Sequence, residues 1–316
     1  MGGSRLKILL FFFLPVLLLF AIGLVFGPLG SSFLGKKPPA IFQIPQPTVE
    51  LPAEPVSHVG HFSITNTLLA SWFTIIVLAV LFFFLTRKMK LIPAKGQMLA
   101  EAIVEGLLNF VESVVGKKHA RMLFPGVATI FIYVISNAYL ALLPFFGSIG
   151  VYEHGEKFVP LFRAANTDVN VPLSIAIMSF IFVESWGIRA VGVFHYLSEF
   201  INVGQMLQGL KTCLKGKIVQ GAMDVVFGFI NLFVGVLEIF SHLIRMLSFT
   251  FRLFGNMTAG EILILVSCFL IPMVFTIPFY GLELLIGLIQ ALIFSGLTLV
   301  FGTVAVSPHQ EEETES

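Results

Sequence analysis

Apolar positions along the chain fall into six long stretches separated by polar segments. A membrane-crossing helix needs about 20 mostly apolar residues. The first stretch runs from Ile8 to Phe26, behind Arg5 and Lys7. A basic start followed by an apolar run describes a retained anchor and also a secretory signal. The run is longer than a usual signal core of about 7–15 residues, and no A-x-A-like site follows, which favours the anchor. The second stretch, Leu68 to Leu85, is uncharged and ends on Arg87, Lys88 and Lys90. The third lies within Met122 to Ser148 and contains Asn137 and Pro144; the fourth runs from Val169 to Val183. From Val225 to Cys268 the chain is apolar and free of proline for longer than one upright span needs. It is either two spans or one strongly tilted helix. A turn is expected between Ile271-Pro272 and Pro278, then a last apolar segment from Phe279 to Val306.

One segment has a different period. Between Gln97 and Val115, Glu101, Glu105 and Glu112 share one helical face, while Leu99, Ile103, Leu107, Phe110 and Val114 share another. This is an amphipathic helix. It is expected in the plane of the membrane interface, with packing on other helices as the alternative.

Composition turns these stretches into membrane spans. The 316 residues are 57% hydrophobic and 12% charged, with 35 Phe, against about 25% charged in soluble domains. Lys and Arg collect on the cytoplasmic side of short loops. Thirteen of the 19 basic residues fall in segments threaded inward, including Arg87 to Lys95, Lys117 to Arg121, and Arg189 to Lys217. Four fall outward: Lys36, Lys37, Lys157 and Arg163. The domains read as an anchor or signal over 1–30, a Pro-rich outer linker over 31–66, a membrane domain over 67–306 and an acidic cytoplasmic tail over 307–316. The fold class is an all-α polytopic membrane protein with a long tilted C-terminal helical hairpin. A net charge of +1 offers no field for nucleic acid. Cys213 and Cys268 form no CxxC, so neither a disulfide framework nor a zinc site is expected. Glu153, His154 and Glu156, and the linker residues His58 and His61, are expected to be solvated, and no cofactor is expected.

The chemistry concentrates in the last hairpin, which holds Glu238, His242, Arg245, Arg252, Glu261 and Glu283. One charged side chain at a helix centre costs about 2.5–3.5 kcal/mol on insertion scales. Such residues face a partner, a wet cavity or an ion path. At about 100° per residue, Glu238, His242, Arg245, Arg252 and Asn256 form one stripe, and Glu261 lies roughly half a turn away. Glu283 and Gln290 share a face of the last helix. Two polar paths divided by a fixed positive charge make a proton-transport layout. Asp168, Asn170 and Glu184 lie near expected span ends, where a charge is unremarkable.

The run Phe251-Arg252-Leu253-Phe254-Gly255-Asn256-Met257-Thr258-Ala259-Gly260-Glu261 resembles the signature of subunit a of the F-type ATP synthase. Asp168-Val169-Asn170-Val171-Pro172-Leu173, the segment from Asn137 to Pro144, and Gln290-Ala291 are similar to further elements of that family. The resemblance runs from about Leu68 to Val306 and excludes the N-terminal region. At the position of Glu283 the family often has His. The resemblance implies a stator subunit facing a ring of c subunits, held by peripheral stalk b subunits and acting on the F1 sector only indirectly. It implies that Arg252 meets the ring carboxylate. Glu261, Glu283, Asn256 and Gln290 would serve an outer proton path, and Glu238, Ser241 and His242 an inner one. It also implies a multi-pass protein of an energy-coupling membrane, with a bacterial inner membrane the expected setting. ATP chemistry would lie on other subunits, since this chain has no phosphate-cradling loop. A secondary transporter or ion channel with an intramembrane Arg/Glu site is the competing class. It would commonly show an internal repeat, and none is evident. A membrane enzyme would need a nucleophile or metal motif such as HExxH, and none is present.

Overall fold

A computed structural model describes residues 2–35, 52–60, 62–90, 95–153, 157–193, 196, 212, 218–272 and 274–306. Residues 36–51 of the Pro-rich linker, His61, His154, Glu156, Lys211, Cys213, Lys215, Lys217 and the acidic tail lie outside them.

The described elements in chain order are α1 (Gly2–Phe26), α2 (Pro28–Leu34), β1 (Pro55–Val59), β2 (Phe62–Thr65), α3 (Asn66–Thr86), α4 (Lys95–Val115), α5 (Lys117–Ala141), β3 (Gly150–Glu153), β4 (Lys157–Pro160), α6 (Asn170–Val191), α7 (Ile218–Leu270) and α8 (Ile277–Val306). Strands β1 and β2 pair antiparallel, as do β3 and β4. These two small hairpins occupy segments that the charge pattern leads one to expect outside. The protein is otherwise all-α and polytopic. Five helices, α3 and α5 to α8, are long and apolar enough to cross a membrane.

The long apolar run is one helix. At 1.5 Å per residue, the 53 residues of α7 extend about 80 Å. A hydrocarbon core of about 30 Å then requires a steep tilt. No proline interrupts α7. Pro272 stands just past its end, and Pro278 sits in the first turn of α8, where the missing N–H costs nothing. Many large apolar side chains of α7 are exposed, among them Phe227, Phe233, Phe240, Leu247 and Phe251. In water such a surface would be a liability; against lipid or a membrane partner it is the expected one.

The chain divides into two compact units, and the spanning helices contribute part of their length to each. The first holds residues 1–76, 134–171 and 253–290. Here Asp168 organises the chain. Its Oδ1 accepts hydrogen bonds from the Asn170 backbone N–H (3.1 Å) and side-chain amide (3.0 Å), capping the first turn of α6. Its Oδ2 accepts the Thr67 hydroxyl at 3.0 Å, which ties the start of α3 to the same point. Thr74 donates to Asn137 Oδ1 at 2.9 Å, joining α3 to α5. Near the N-terminus, Gly23 on α1 leaves no room for a Cβ beside the Pro272 carbonyl.

The second unit holds residues 77–133, 172–252 and 291–316. Its core gathers Val111, Ala120, Leu123, Val127, Val183, Trp186 and Leu299 from four helices. Phe182 stacks on Trp186 at 5.8 Å. Two glycines make room for that indole: a Cβ at Gly126 would lie 2.8 Å from it, and one at Gly302 would lie 2.7 Å from it. Ser179 and Thr298 share a buried hydrogen bond of 2.6 Å between α6 and α8. The amphipathic helix α4 buries Leu107 and Val111 in this unit, while Met98, Leu99, Ile103 and Val114 stay exposed. That leaves an apolar flank, as a helix lying along a bilayer surface requires.

Candidate functional site

Each unit contains a shielded cluster of charged side chains among its described residues. In the first, the outer loop delivers Arg163 to Glu261 on α7. The guanidinium meets the carboxylate as a fork: Nε donates to Oε1 at 3.1 Å and to Oε2 at 3.2 Å, and a terminal nitrogen donates to Oε2 at 3.0 Å. Such two-pronged contacts fix geometry as well as charge. The Arg163 side chain is 10% exposed and that of Glu261 26%, so the pair is largely shielded. Arg163 also donates to the Pro52 carbonyl at 3.4 Å.

Glu261 and Glu283 line a cavity of about 410 Å³ together with Arg163, Met257, Leu142 and Tyr280. The two carboxylates are close enough to repel one another. Glu283, on α8, is buried. It makes no ion pair among the described residues. Gly260 gives it room, since a Cβ there would collide with the Glu283 carboxylate. The glycine of the Gly260-Glu261 pair thus has a steric purpose. Asn256 is half-buried, and Gln290 is buried in this unit.

In the second unit, His242 on α7 meets Glu184 on α6, with Nδ1 3.0 Å from Oε1. The Tyr196 hydroxyl donates to Glu184 Oε2 at 2.7 Å. The Phe180 ring stands edge-on to His242 at 5.7 Å. Arg245 lies 3.5 Å over the Phe301 ring, a cation–π arrangement. It also interacts electrostatically with Glu184 and Glu238. Ser241 does not share the half-buried position of His242; it is exposed.

Arg252 belongs to neither cluster. It is exposed on α7, with the Phe249 ring 5.9 Å from its guanidinium. Among the described residues it makes no ion pair. Ser241, Ser248, Gly255 and Ala259 are exposed as well. With Arg252 they follow spacings of 7, 4, 3 and 4 along the helix, so small side chains flank the guanidinium on a surface turned away from the chain's own core.

Of the residues expected to act together, Glu261 and Glu283 share one cavity, and His242 lies in a polar cluster near Glu238's partner Arg245. Three further residues escaped the sequence reading. Arg163 counted only as an outer-loop charge, because a contact 98 positions along the chain leaves no local signal. Glu184 counted as a span-end charge, because the span was ended at Val183. The continuing apolar run through Trp186, Ile188 and Val191 is the signal that places it about two turns inside α6. Tyr196 follows that helix and gave no pattern to read.

Comparison with known proteins bears on the same residues. The family model described as ATP synthase A chain matches residues 68–303, from the start of α3 nearly to the end of α8. ATP synthase subunit a of Campylobacter jejuni is 32% identical over 218 residues, covering 68% of this chain and 79% of the relative. The subunit a of Helicobacter hepaticus is 30% identical over 234 residues, covering 73% and 86%. That of Nitratiruptor sp. is 27% identical over 248 residues, covering 78% and 91%. A chain with five apolar spanning helices, matched from α3 to α8, therefore belongs to the ATP synthase A chain (subunit a) family, the non-catalytic proton-channel component of the Fo sector.

Proposed function

We propose that this chain is the proton-translocating stator subunit that offers two offset half-paths to a c-ring, with Arg252 dividing them. The observation that carries the reading is Arg252 itself. It is a guanidinium exposed on a spanning helix, with no ion-pair partner among the described residues. Left in hydrocarbon, it would cost about 2.5–3.5 kcal/mol on insertion scales. A partner helix bearing a membrane carboxylate removes that cost, and Ser248, Gly255 and Ala259 let such a helix approach closely.

Guanidinium stays protonated at any physiological pH. Beside it a ring carboxylate is held ionised, and no proton crosses directly from one path to the other. The Arg163–Glu261–Glu283 cavity serves the outer path, with Asn256 and Gln290 along it. The loops of the first unit are those threaded outward. Glu238 and His242 serve the inner path, in the unit that carries the basic inward loops. A proton crossing both paths gains about 2.3 kcal/mol per 100 mV of membrane potential, and sequential protonation of ring carboxylates turns that into rotation. ATP chemistry, on this reading, lies on other subunits. The peripheral stalk b subunits hold the chain fixed, the membrane is a bacterial inner membrane, and the C-terminus is cytoplasmic. Residues 67–306 form the working domain, 1–30 an N-terminal hydrophobic anchor or signal, 31–66 a Pro-rich outer linker and 307–316 an acidic cytoplasmic tail.

The test of the path assignment is proton flux in assembled complexes. Glu261→Gln and Glu283→Gln are each expected to slow flux severalfold, and the double substitution to stop it. Unaltered flux in the double variant would reject the outer path.

A further inference from the structure

Glu184 is a half-buried carboxylate that the paths above leave unused. Its side chain is 17% exposed and that of His242 13%. The Nδ1–Oε1 separation of 3.0 Å places the imidazole nitrogen directly against that oxygen. Oε2, by contrast, is held by the Tyr196 hydroxyl. One oxygen of the carboxylate is anchored and the other faces an imidazole.

A pair that only joined α6 to α7 would be a poor design. Replacing a buried ion pair with apolar side chains is commonly neutral or stabilising, and Val183 and Trp186 beside Glu184 already belong to a packed apolar core. His242 also lines a small cavity of about 20 Å³ with Ser179, Phe180, Arg245 and Phe301. That is room for one water. The charged and titratable groups around the pair are Tyr196, Arg245 and, through Arg245, Glu238. Apolar side chains, among them Phe180, Val183, Phe249 and Phe301, line the rest of the cavity.

We propose that Glu184 and His242 form the buried proton relay of the inner half-path, with Tyr196 as a positioning residue. The step is one proton transfer: Nδ1–H of the imidazolium gives its proton to Glu184 Oε1, leaving neutral imidazole and a neutral carboxylic acid. The reverse step restores the ion pair. Charge balances within the pair, and no co-reactant is needed. Tyr196 keeps Oε2 occupied, so the proton is directed to Oε1. This inference rests on the half-path reading above.

The test uses membrane vesicles carrying the whole complex, stripped of the catalytic head, with passive proton conduction followed at varied pH on the inner face. Glu184→Gln and His242→Gln are each expected to lower conduction on the order of tenfold, with normal amounts of the chain in the membrane. The double variant should be no slower than either single one, because both act in one relay. Glu184→Asp should restore most of the flux, and the dependence on inner pH should change shape in Glu184→Gln. Conduction within about twofold of the parent in Glu184→Gln would overturn the relay. So would a loss that is uniform across pH and matched by loss of the chain from the membrane. Arg252→Ala in vesicles that keep the catalytic head separates the two claims. If it abolishes gradient-driven ATP synthesis while Glu184→Gln conducts normally, the relay alone is wrong. If Arg252→Ala keeps synthesis, the half-path reading is wrong.

Discussion

At the residue scale, the three key carboxylates have three different settings. Glu261 is gripped by a forked arginine, Glu283 is buried with room made by a glycine, and Glu184 holds a tyrosine hydroxyl on one oxygen and faces an imidazole with the other. Arg163→Gln is therefore expected to free Glu261 and reduce proton flux severalfold without loss of assembly. Arg163→Lys should recover part of it, since an ammonium supplies charge but not the fork. Flux assays on purified complexes in vesicles check both. Gly260→Ala is expected to be as harmful as Glu283→Gln, because its methyl would displace the Glu283 carboxylate. Flux near the parent value would show that the close approach has no functional weight. These residues were unequally legible. Arg252, Glu261 and Glu283 announce themselves as charges in apolar runs. Arg163 and Glu184 do not, since each gains its meaning from a partner on another element.

At the element scale, the spans were readable because lipid leaves the backbone no alternative to a closed hydrogen-bond pattern. The unresolved question was whether Val225 to Cys268 is one helix or two, and α7 answers it with a single helix ending before Pro272. The fourth span was read too short. Glu184 looked like a terminus, but α6 continues to Val191, and the carboxylate meets His242 on α7. Helix packing itself rests on small residues that no pattern identifies as special. Gly302→Val is expected to overpack against Trp186 and Leu123 at a cost of about 1–3 kcal/mol. Less of the chain should then reach the membrane, and detergent-extracted complex should melt earlier, while flux per assembled complex stays at the parent level. A normal melting temperature would contradict the packing account.

At the scale of the whole molecule, the charge distribution and the polar clusters point the same way. On the proposed threading, basic loops lie on the inner side and the two small hairpins on the outer side, and each compact unit holds its own shielded carboxylates. The exposed guanidinium on α7 makes sense only with something against it, and the family supplies the class of partner. Reporter fusions should place residue 316 on the cytoplasmic face; an outward reporter would invert both half-paths. The division of the paths by Arg252 is tested most directly by ATP synthesis driven by an imposed proton gradient in vesicles bearing Arg252→Ala. The account predicts a complex that assembles with its c-ring, makes no ATP and leaks protons faster than the parent. Gradient-driven synthesis retained in the assembled Arg252→Ala complex would contradict it.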